Sequence, residues 1–301
     1  MKTYNYARLK EMQQWTFEQK LCHTIENIQI FANRMGKVAV SFSGGKDSTV
    51  LLDICRRYCE NDMNAFFINT TNEYPEIISF VKTFDNVDFV EPKLNFKKII
   101  EQYGFPLISK QNALYFRQIK HGSQKLKELR LRNNSFPWSL SQKYRRFLCI
   151  ENLELSEQCC DVLKKRPANK YVKDNEIKGV FIGTRVEESR QRMVSWSKLG
   201  TCNNYTGGKS NPLSIWNQKD IDQYIAASKL SICELYSQGF ERTGCMFCGF
   251  GCTAGINDFR FTYLKEKRPK LYEYMMNISN NGITFRDALQ IIYGNQLEFP
   301  I

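Results

Sequence analysis

The sequence predicts an α/β fold: a doubly wound, Rossmann-like parallel sheet with a small C-terminal helical subdomain that contains cysteines. Three observations predict it. Short β-rich runs alternate with helical patterns, two glycines directly follow the first run, and the pattern turns to glycine and cysteine beyond about residue 236. Alternating strands and helices are typical of a parallel sheet covered on both faces. The 301 residues, 42% of them apolar, suffice for one large core and a small appendage.

Four runs have the composition of buried strands. They are Lys37–Phe42, Ala65–Asn69, Val87–Val90 and Gly179–Gly183. Helices are expected to begin near Ser48 and near Pro75, and another to extend from Phe96 to Tyr103. Ligands bind at the carboxyl ends of parallel strands, so residues 43–45 and 184–185 are predicted to meet at one crevice.

The chain is expected to contain three segments. They are an N-terminal helical segment over 1–30, a nucleotide-binding domain over 31–235 with a basic insertion near 105–150, and the cysteine-containing subdomain over 236–301. One helix is predicted from Phe259 to Met276 in the last segment. The N-terminus lacks an apolar signal core, and no stretch approaches the roughly 20 apolar residues that span a bilayer. The sequence therefore predicts a cytoplasmic protein without a membrane partner.

Charge is concentrated in residues 110–146, called the basic band below. The basic band contains ten Lys or Arg residues against one acid, and it supplies +9 of the formal net charge of +12. Aromatic residues such as Phe136 and Trp138 are interleaved with the cations. This composition suits a polyanion such as tRNA or DNA, but it is equally compatible with a solvated basic helical face.

Residues Ser43-Gly44-Gly45-Lys46-Asp47-Ser48, the phosphate loop below, have the composition of an anion site. Glycines let successive backbone N–H groups point inward, and the following helix adds its positive N-terminal end. Lys46 supplies a point charge and the two serines supply hydroxyl donors. The loop differs from G-x-x-x-x-G-K-[ST], because Asp47 follows Lys46. A phosphate chemistry other than that of the common NTPases is predicted.

The phosphate loop resembles that of the ATP pyrophosphatase (PP-loop) superfamily, which has the adenine nucleotide alpha hydrolase type of fold. Three further stretches narrow the resemblance to the phosphoadenosine phosphosulfate reductase-like branch, over roughly residues 37 to 250. They are 69–75 (NTTNEYP), 183–189 (GTRVEES) with Arg192, and 212–216 (PLSIW) with Asp220 and Ile221. The resemblance implies an adenine nucleotide, either ATP or an adenylyl sulfonucleotide, together with Mg²⁺. The implied binding residues are Ser43, Gly44, Gly45, Lys46, Asp47, Ser48, Asn69, Arg185 and Arg192. The implied catalytic residues are Lys46, Asp47, Arg185, Glu188 and Cys252.

Eleven cysteines in a reducing compartment indicate metal binding, catalysis or core packing, and not disulfides. Cys22, Cys55, Cys59 and Cys233 have apolar neighbours, so we expect core side chains there. The pair Cys159-Cys160 and the later Cys245 and Cys248, with Lys-Lys-Arg-Pro at 164–167, resemble the [4Fe-4S] motif of adenylylsulfate reductases. Zinc is the competing metal, although adjacent cysteines make a poor zinc knuckle. Cys149 or Cys252 could replace one ligand.

Two departures from the reductases bear on function. Those enzymes use a cysteine on a C-terminal tail, whereas residues 253–301 contain none, and the phosphate loop is complete. We therefore expect adenylation and sulfuration of a nucleic-acid or small-molecule acceptor, which resembles the chemistry of tRNA 2-thiocytidine synthetases and DNA phosphorothioation enzymes. One alternative is an adenylylsulfate or phosphoadenylylsulfate reductase served by a thiol reductant. Another is a non-catalytic nucleic-acid-binding or sensor protein with a structural cluster. The sequence names neither the acceptor, nor the sulfur donor, nor the oligomeric state.

Overall fold

The structure is a computed structural model that describes residues 5–59, 63–132, 138–252 and 254–294. It divides into two compact units, each assembled from separated stretches of chain. The first unit comprises Met1–Asn69, Tyr74–Val90 and Ala168–Thr243, and the second comprises Thr70–Glu73, Glu91–Pro167 and Gly244–Ile301. The predicted division into 1–30, 31–235 and 236–301 stays a prediction.

The elements of the described residues are numbered in chain order. The strands are β1 (Val38–Ser41), β2 (Ala65–Ile68), β3 (Val87–Val90), β4 (Leu107–Ile108), β5 (Gly179–Ile182), β6 (Asn203–Asn204), β7 (Lys209–Ser210), β8 (Gly249–Phe250), β9 (Ser279–Asn280) and β10 (Ile283–Thr284). The helices are α1 (Tyr6–Gln13), α2 (Phe17–Met35), α3 (Lys46–Tyr58), α4 (Pro75–Val81), α5 (Phe96–Tyr103), α6 (Lys110–His121), α7 (Gln124–Leu131), α8 (Gln142–Arg145), α9 (Gln158–Cys160), α10 (Arg166–Asp174), α11 (Arg190–Leu199), α12 (Gln218–Ser228), α13 (Phe259–Lys267), α14 (Pro269–Met276) and α15 (Phe285–Tyr293).

The first unit contains a sheet with the strand order β3-β2-β1-β5-β7-β6. All neighbouring strands are parallel except β6, which runs antiparallel to β7. From β1 the chain builds β2 and β3 on one side and later returns to β5 on the other, so the strand order reverses between β1 and β5. This order confirms the predicted doubly wound parallel sheet, and each of the four predicted strands is present within two residues of its expected length.

Helices cover both faces of this sheet. Side chains alternate along each strand, so the two sheet faces bury different residues. Phe66 clusters with Ala39 and Val180 on one face, whereas Phe181, the register partner of Val40, lies on the other. Tyr171 of α10 packs on Phe66 with ring centroids 4.8 Å apart. Phe31 of α2 packs on Phe181 at 5.2 Å. This double cover largely buries β1, β2 and β5, whereas the edge strand β3 is partly exposed.

The helix after the phosphate loop begins at Lys46, near the expected Ser48, because Gly45 serves as its extended N-cap. Two other local expectations are wrong. The helix predicted from Phe259 to Met276 is two helices, α13 and α14, because Pro269 has no N–H to continue α13 and instead opens α14. Cys22 is exposed, since it lies on the side of α2 opposite the buried positions 20, 24, 28 and 31.

The second unit has its own aromatic core. The rings of Phe247, Phe261 and Phe285 lie within 6.4 Å of one another, centroid to centroid, and all three side chains are fully buried. Phe247 is the residue before Cys248, so this core fixes the second cysteine pair against α13 and α15. Strand β4 pairs with β8 directly after Cys248. No described helix is both long and apolar enough to cross a membrane.

Candidate nucleotide site and cysteine pocket

The phosphate loop and the segment after β5 meet at the point where the strand order of the first unit reverses. The loop follows β1, Thr184 and Arg185 follow β5, and these two strands are neighbours. A Cβ atom on Gly183 would lie 3.0 Å from the carbonyl carbon of Asp47 and from the Cα atom of Ser48. Glycine at 183 is therefore required for this close approach, and the two segments predicted to share a crevice lie together.

The two glycines of the loop have different roles. Gly44 has a φ of +72°, and a Cβ atom there would lie 2.9 Å from a methyl group of Val81. Gly45 has ordinary dihedral angles, but a Cβ atom on it would lie 2.9 Å from Thr243 Oγ1 and 3.3 Å from the Tyr236 hydroxyl. Gly44 supplies a left-handed turn, whereas Gly45 supplies space.

The donors of the loop converge on its interior. The backbone N–H of Ser43 donates to Ser48 Oγ at 3.2 Å, and the two serine hydroxyls are 2.9 Å apart. Lys46 is the first residue of α3, and its N–H donates to the Tyr236 hydroxyl at 2.9 Å. Amide and hydroxyl donors at a helix N-terminus are the groups that bind phosphate oxygens.

Arg185 is almost fully buried beside the loop, at 7% exposure. Its Nε donates to Asp47 Oδ2 at 2.9 Å, a second nitrogen donates to Gln218 Oε1 at 2.9 Å, and the third pairs with Glu187. Asp47 therefore orients Arg185 in this structure. An arginine held at three nitrogens is a rigid, preorganised cation at the crevice.

Glu188 gathers further cations. It accepts from the Arg185 backbone N–H at 2.9 Å, pairs with Arg192, and lies 3.6 Å from Arg242. Partial burial and repulsion by Arg242 lower the pKa of Arg192. The three arginines here are matched by the carboxylates of Asp47, Glu187 and Glu188, and the Lys46 ammonium lies 3.5 Å from Asp222, so an anionic ligand would exchange these pairings for its own oxygens. The sequence argument missed Arg242, Gln218, Tyr236 and Thr243, because each is a single residue outside any motif. The predicted binding residue Asn69 follows β2, and its N–H donates to the Val90 carbonyl at 2.9 Å.

The predicted cluster ligands in the second unit line one cavity, called the cysteine pocket below. Its wall consists of Cys159, Cys160, Cys245, Cys248, Asn72, Phe96, Pro106, Leu163 and Lys164. The non-cysteine wall is mostly apolar, which limits solvent access to the thiols.

Hydrogen bonds to the backbone fix the second cysteine pair. The Cys248 N–H donates to the Cys245 carbonyl at 3.3 Å, which closes a tight turn. Asn72 holds the residues between them: its backbone carbonyl accepts from the Met246 N–H at 2.8 Å, and its Oδ1 accepts from the Phe247 N–H at 3.1 Å. Arg260 donates to the Cys248 carbonyl at 2.7 Å.

The first pair is presented by an unusual helical turn. Cys159 and Cys160 end α9, and residues 161–165 continue as a π-helix, which is wider than an α-helix. Residues 163 and 164 lie four positions after the two cysteines, on the same helical face, and line the same cavity. The Cys160 N–H donates to the Glu157 carbonyl at 3.2 Å, and Arg117 forks onto the Glu157 carboxylate at 2.6 and 3.1 Å.

The four thiols differ, because the pKa of Cys160 is lowered whereas the pKa values of Cys159, Cys245 and Cys248 are raised. A hydrogen bond from Cys159, helped by the charges of Lys110 and Lys164, lowers the pKa of Cys160 and favours its thiolate. Burial raises the pKa of Cys245 to about 12, although Lys164 opposes the rise. Partial burial alone would lower the pKa of Lys164, but the negative charges of Cys245 and Glu73 outweigh it and raise that pKa well above its ordinary value. The pocket thus holds a charged lysine against its thiols.

The four thiols of the pocket are a donor set that both zinc and a [4Fe-4S] cluster use. Among the described residues, no group of three or more Cys, His, Asp or Glu side chains is placed to hold one metal ion. Zinc needs all its sulfur ligands about 2.3 Å from one centre. A [4Fe-4S] cluster distributes its thiolates over separate irons and so accepts four thiols spread around a cavity. The donor set therefore suits the cluster, and the assignment of the four ligands stays a prediction.

The two reserve cysteines lie outside the pocket wall. Cys252 is 3% exposed, its thiol donates to the Gly255 carbonyl at 3.3 Å, and burial followed by the charge of Asp258 raises its pKa to about 12. These contacts favour a neutral thiol. Cys149 is exposed and donates to the Arg146 carbonyl at 2.8 Å. The catalytic role of Cys252 and the replacement of a ligand by either cysteine stay predictions.

The basic band divides into two groups of cations. Lys120, Arg130 and Arg145 donate to backbone carbonyls of the second unit, and Arg117 pairs with Glu157. Lys125, Lys143 and Arg146 are exposed, and Trp138 is 56% exposed. Part of the basic band is thus structural, and the exposed part carries charge beside an aromatic ring. Phe136 lies outside the described residues.

Comparisons with known proteins bear on both sites. The family described as phosphoadenosine phosphosulfate reductase domain matches residues 37–134 and 127–250. An uncharacterized protein of Methanocaldococcus jannaschii is 26% identical over 80% of this chain, which spans 41% of that relative. A phosphoadenosine 5'-phosphosulfate reductase of Gloeobacter violaceus is 27% identical over 74% of this chain and 74% of its own length.

Two solved structures align with much of this chain at low identity. Phosphoadenylyl-sulfate reductase from Candida auris aligns with a TM-score of 0.44 and 16% identity over 73% of this chain and 87% of its own. The U34-tRNA thiolase NcsA from Methanococcus maripaludis, with its [4Fe-4S] cluster, aligns with a TM-score of 0.39 and 14% identity over 94% and 83%. Both TM-scores are below 0.5, so no functional argument rests on these two. The family match covers most of the chain, and the chain belongs to the phosphoadenosine phosphosulfate reductase domain family.

Proposed function

We propose that the protein is a PP-loop ATP pyrophosphatase-type enzyme that adenylates an acceptor and then replaces the acceptor oxygen by sulfur. The observation that carries the proposal is the complete set of phosphate-binding groups at the ends of β1 and β5. Lys46, the loop amides and the two serine hydroxyls stand there together with Arg185 and Arg192. Such a set binds a polyphosphate and stabilises a departing pyrophosphate.

The first step transfers AMP. A carbonyl oxygen of the acceptor attacks the α-phosphorus of ATP, a new O–P bond forms, and the bond to pyrophosphate breaks with its electron pair on the leaving group. Lys46 and the loop amides hold the β- and γ-phosphates, while Arg192 and Arg242 offset their charge. Arg185, fixed by Asp47, contacts the phosphate next to the reacting atom. Mg²⁺ bound to the nucleotide would offset further charge.

The second step introduces sulfur. A hydrosulfide-class donor attacks the carbon that bears the adenylate, the C–O bond breaks, and AMP leaves with its electron pair, so no external oxidant or reductant is required. A [4Fe-4S] cluster held by Cys159, Cys160, Cys245 and Cys248 would supply iron that can hold the sulfur donor. Lys164 offsets the negative charge of the thiolates, and the apolar wall of the pocket limits water access.

The acceptor that the surface supports best is a nucleic acid. The exposed cations Lys125, Lys143 and Arg146 can neutralise phosphates, and the exposed ring of Trp138 can stack on a base. The four cations that brace the second unit do not contribute to this surface. The affinity for nucleic acid should therefore fall less steeply with salt concentration than ten cations in contact with phosphates would give.

A second function, reduction of adenylylsulfate or its 3'-phosphorylated form, is favoured by the family to which the chain belongs. That reaction needs a cysteine thiolate to attack the sulfate sulfur, and a thiol reductant to supply two electrons. Cys252 is buried with its pKa raised to about 12, which disfavours this use. The adenylation proposal requires no such nucleophile.

Pyrophosphate release tests the proposal. Cluster-loaded protein is incubated without oxygen with ATP and hydrosulfide, in the presence of total tRNA, a single-stranded DNA oligonucleotide or no acceptor. We expect pyrophosphate and AMP with one of the nucleic acids. Lys46→Ala should lower the rate roughly 100-fold or more, because it removes a cation that binds the leaving group. The matched control is Lys82→Ala, at an exposed lysine of the same unit.

The outcomes separate the candidate functions. Sulfite formed from adenylylsulfate, without pyrophosphate release from ATP, would establish the reductase instead. Retention of nucleic acid at moderate salt with neither product would indicate a non-catalytic binding or sensor protein. Equal loss of activity in Lys46→Ala and Lys82→Ala would show that Lys46 of the phosphate loop has no specific role in the reaction.

A further inference from the structure

Tyr236 makes contacts with the phosphate loop that the proposed reaction does not use. Its hydroxyl accepts the N–H of Lys46 at 2.9 Å, and its ring centroid lies 4.7 Å from the Lys46 ammonium. Thr243 Oγ1 lies 3.4 Å from the same hydroxyl. Both oxygens are close enough to Gly45 to forbid a side chain there. Tyr236 therefore occupies the space in front of the loop.

The groups that Tyr236 contacts are the ones a phosphate needs. Lys46 opens α3, so its N–H has no partner within the helix. Such N–H groups and an adjacent lysine bind phosphate oxygens at helix N-termini. An N–H that points at the phenol oxygen is not available to a phosphate oxygen. Tyr236 and a bound phosphate therefore compete for Lys46.

The backbone around Tyr236 is anchored, so the competition is decided by its side chain. Leu235 and Phe240 are buried on either side of it, and Phe240 packs on Tyr74 with ring centroids 5.2 Å apart. The Tyr236 N–H donates to the Cys233 carbonyl at 3.2 Å. Rotation about the side-chain torsions of Tyr236 removes the hydroxyl from the loop without unfolding this turn.

We propose that Tyr236 is a specificity residue of the phosphate site, which satisfies Lys46 while the loop is empty and is displaced by a phosphate group of the nucleotide. The inference rests on the proposed nucleotide function. Displacement costs affinity only for a ligand that places a phosphate at Lys46, because a nucleoside leaves those contacts to Tyr236. Tyr236 thus weakens the binding of polyphosphates and leaves that of nucleosides unchanged.

Binding calorimetry on cluster-loaded Tyr236→Phe protein tests this inference, with ATP, pyrophosphate and adenosine as ligands. The variant keeps the ring and removes the competing hydroxyl. We expect roughly two- to tenfold tighter binding of ATP and pyrophosphate, the range of one net hydrogen bond, and unchanged binding of adenosine. Tyr224→Phe is the matched control, because its hydroxyl donates to Asp53 at 2.7 Å in the same unit. The control should leave all three affinities unchanged.

Weaker or unchanged binding of pyrophosphate by Tyr236→Phe would overturn the inference, because the hydroxyl would then assist the phosphate or be indifferent to it. Thermal unfolding of each variant checks its fold. Should Tyr236→Phe unfold, Thr243→Val removes the neighbouring hydroxyl instead and should tighten pyrophosphate binding by a smaller factor. If the wild-type protein binds neither ATP nor pyrophosphate, the proposed function itself is wrong. That result differs from a Tyr236 variant whose affinities equal those of the wild type.

Discussion

The phosphate loop and the cysteine pocket are assembled in different ways. The loop takes six consecutive residues, and Ser43, Gly45 and Ser48 bond to one another within that stretch. The wall of the pocket comes from residues as far apart along the chain as Asn72 and Cys248. A short local motif fixes the conformation of the phosphate loop, whereas contacts from several chain segments fix the cysteine pocket. The loop should therefore be sensitive to its own residues, and the pocket also to residues that never touch its contents.

The largest expected effect separates the two sites completely. Cys160→Ala should lower the iron content from about four per chain to below one and abolish the broad absorption near roughly 400 nm, because the cluster loses a ligand. ATP affinity should remain unchanged. Iron analysis and absorbance of protein purified without oxygen measure the first result, and calorimetry measures the second.

Cys149→Ala is the control for that variant, since Cys149 is exposed outside the pocket wall. It should keep its colour and its iron. Loss of iron in Cys149→Ala, or a colourless wild-type protein with one zinc, would contradict the ligand assignment and with it the contrast between the two sites.

An intermediate effect is expected at the loop. Arg185→Lys should weaken ATP binding roughly tenfold and leave the iron content unchanged, because a lysine cannot bridge Asp47 and Gln218 as the arginine fork does. Calorimetry with ATP, beside iron analysis, measures both. The matched control is Arg190→Lys, at an exposed arginine of the same unit. Equal weakening in both variants would mean that the fork is not what matters.

The smallest effect tests whether distant braces hold the pocket. Arg117→Ala removes the fork onto Glu157, the residue whose carbonyl accepts the Cys160 N–H. Because the ion pair is only partly buried, we expect roughly threefold faster loss of iron to a chelator, and no loss of the cluster during purification. Arg146→Ala, an exposed arginine of the same basic band, should lose iron at the wild-type rate. Equal rates of iron loss in the two variants would show that the ion pair of Arg117 with Glu157 does not stabilise the pocket.

Much of the fold was predictable because its signals are local. Four of the six strands of the sheet, β1, β2, β3 and β5, were predicted from short β-rich runs, and glycines follow the first. The break at Pro269 was also readable, since proline cannot continue α13, but the apolar pattern continued across it and suggested one helix. The prediction that Cys22 is a core residue was wrong for a related reason, because apolar neighbours in sequence do not show which side of α2 is buried.

The sites were predictable to different degrees. The motif at 183–189 named Arg185 and Glu188, and their contacts with Asp47 and Arg192 follow from the strand order. Tyr236 and Thr243 carry no motif, and their approach to Gly45 depends on how residues 229–243 fold back on the loop. The basic band shows the same limit, because composition counts charges and does not reveal that Lys120 and Arg130 are already engaged.

The sequence by itself determined the type of sheet, the phosphate loop and the identity of the four candidate cluster ligands. These depend on residue type, short-range spacing and a recognisable motif, all of which are written along the chain. Only the tertiary structure decided that four thiols line one pocket, that Cys252 lies outside its wall as a buried thiol, and that Tyr236 contacts Lys46. Those facts depend on distances between residues far apart in sequence, which are set by the packing of the folded chain and not by any local preference.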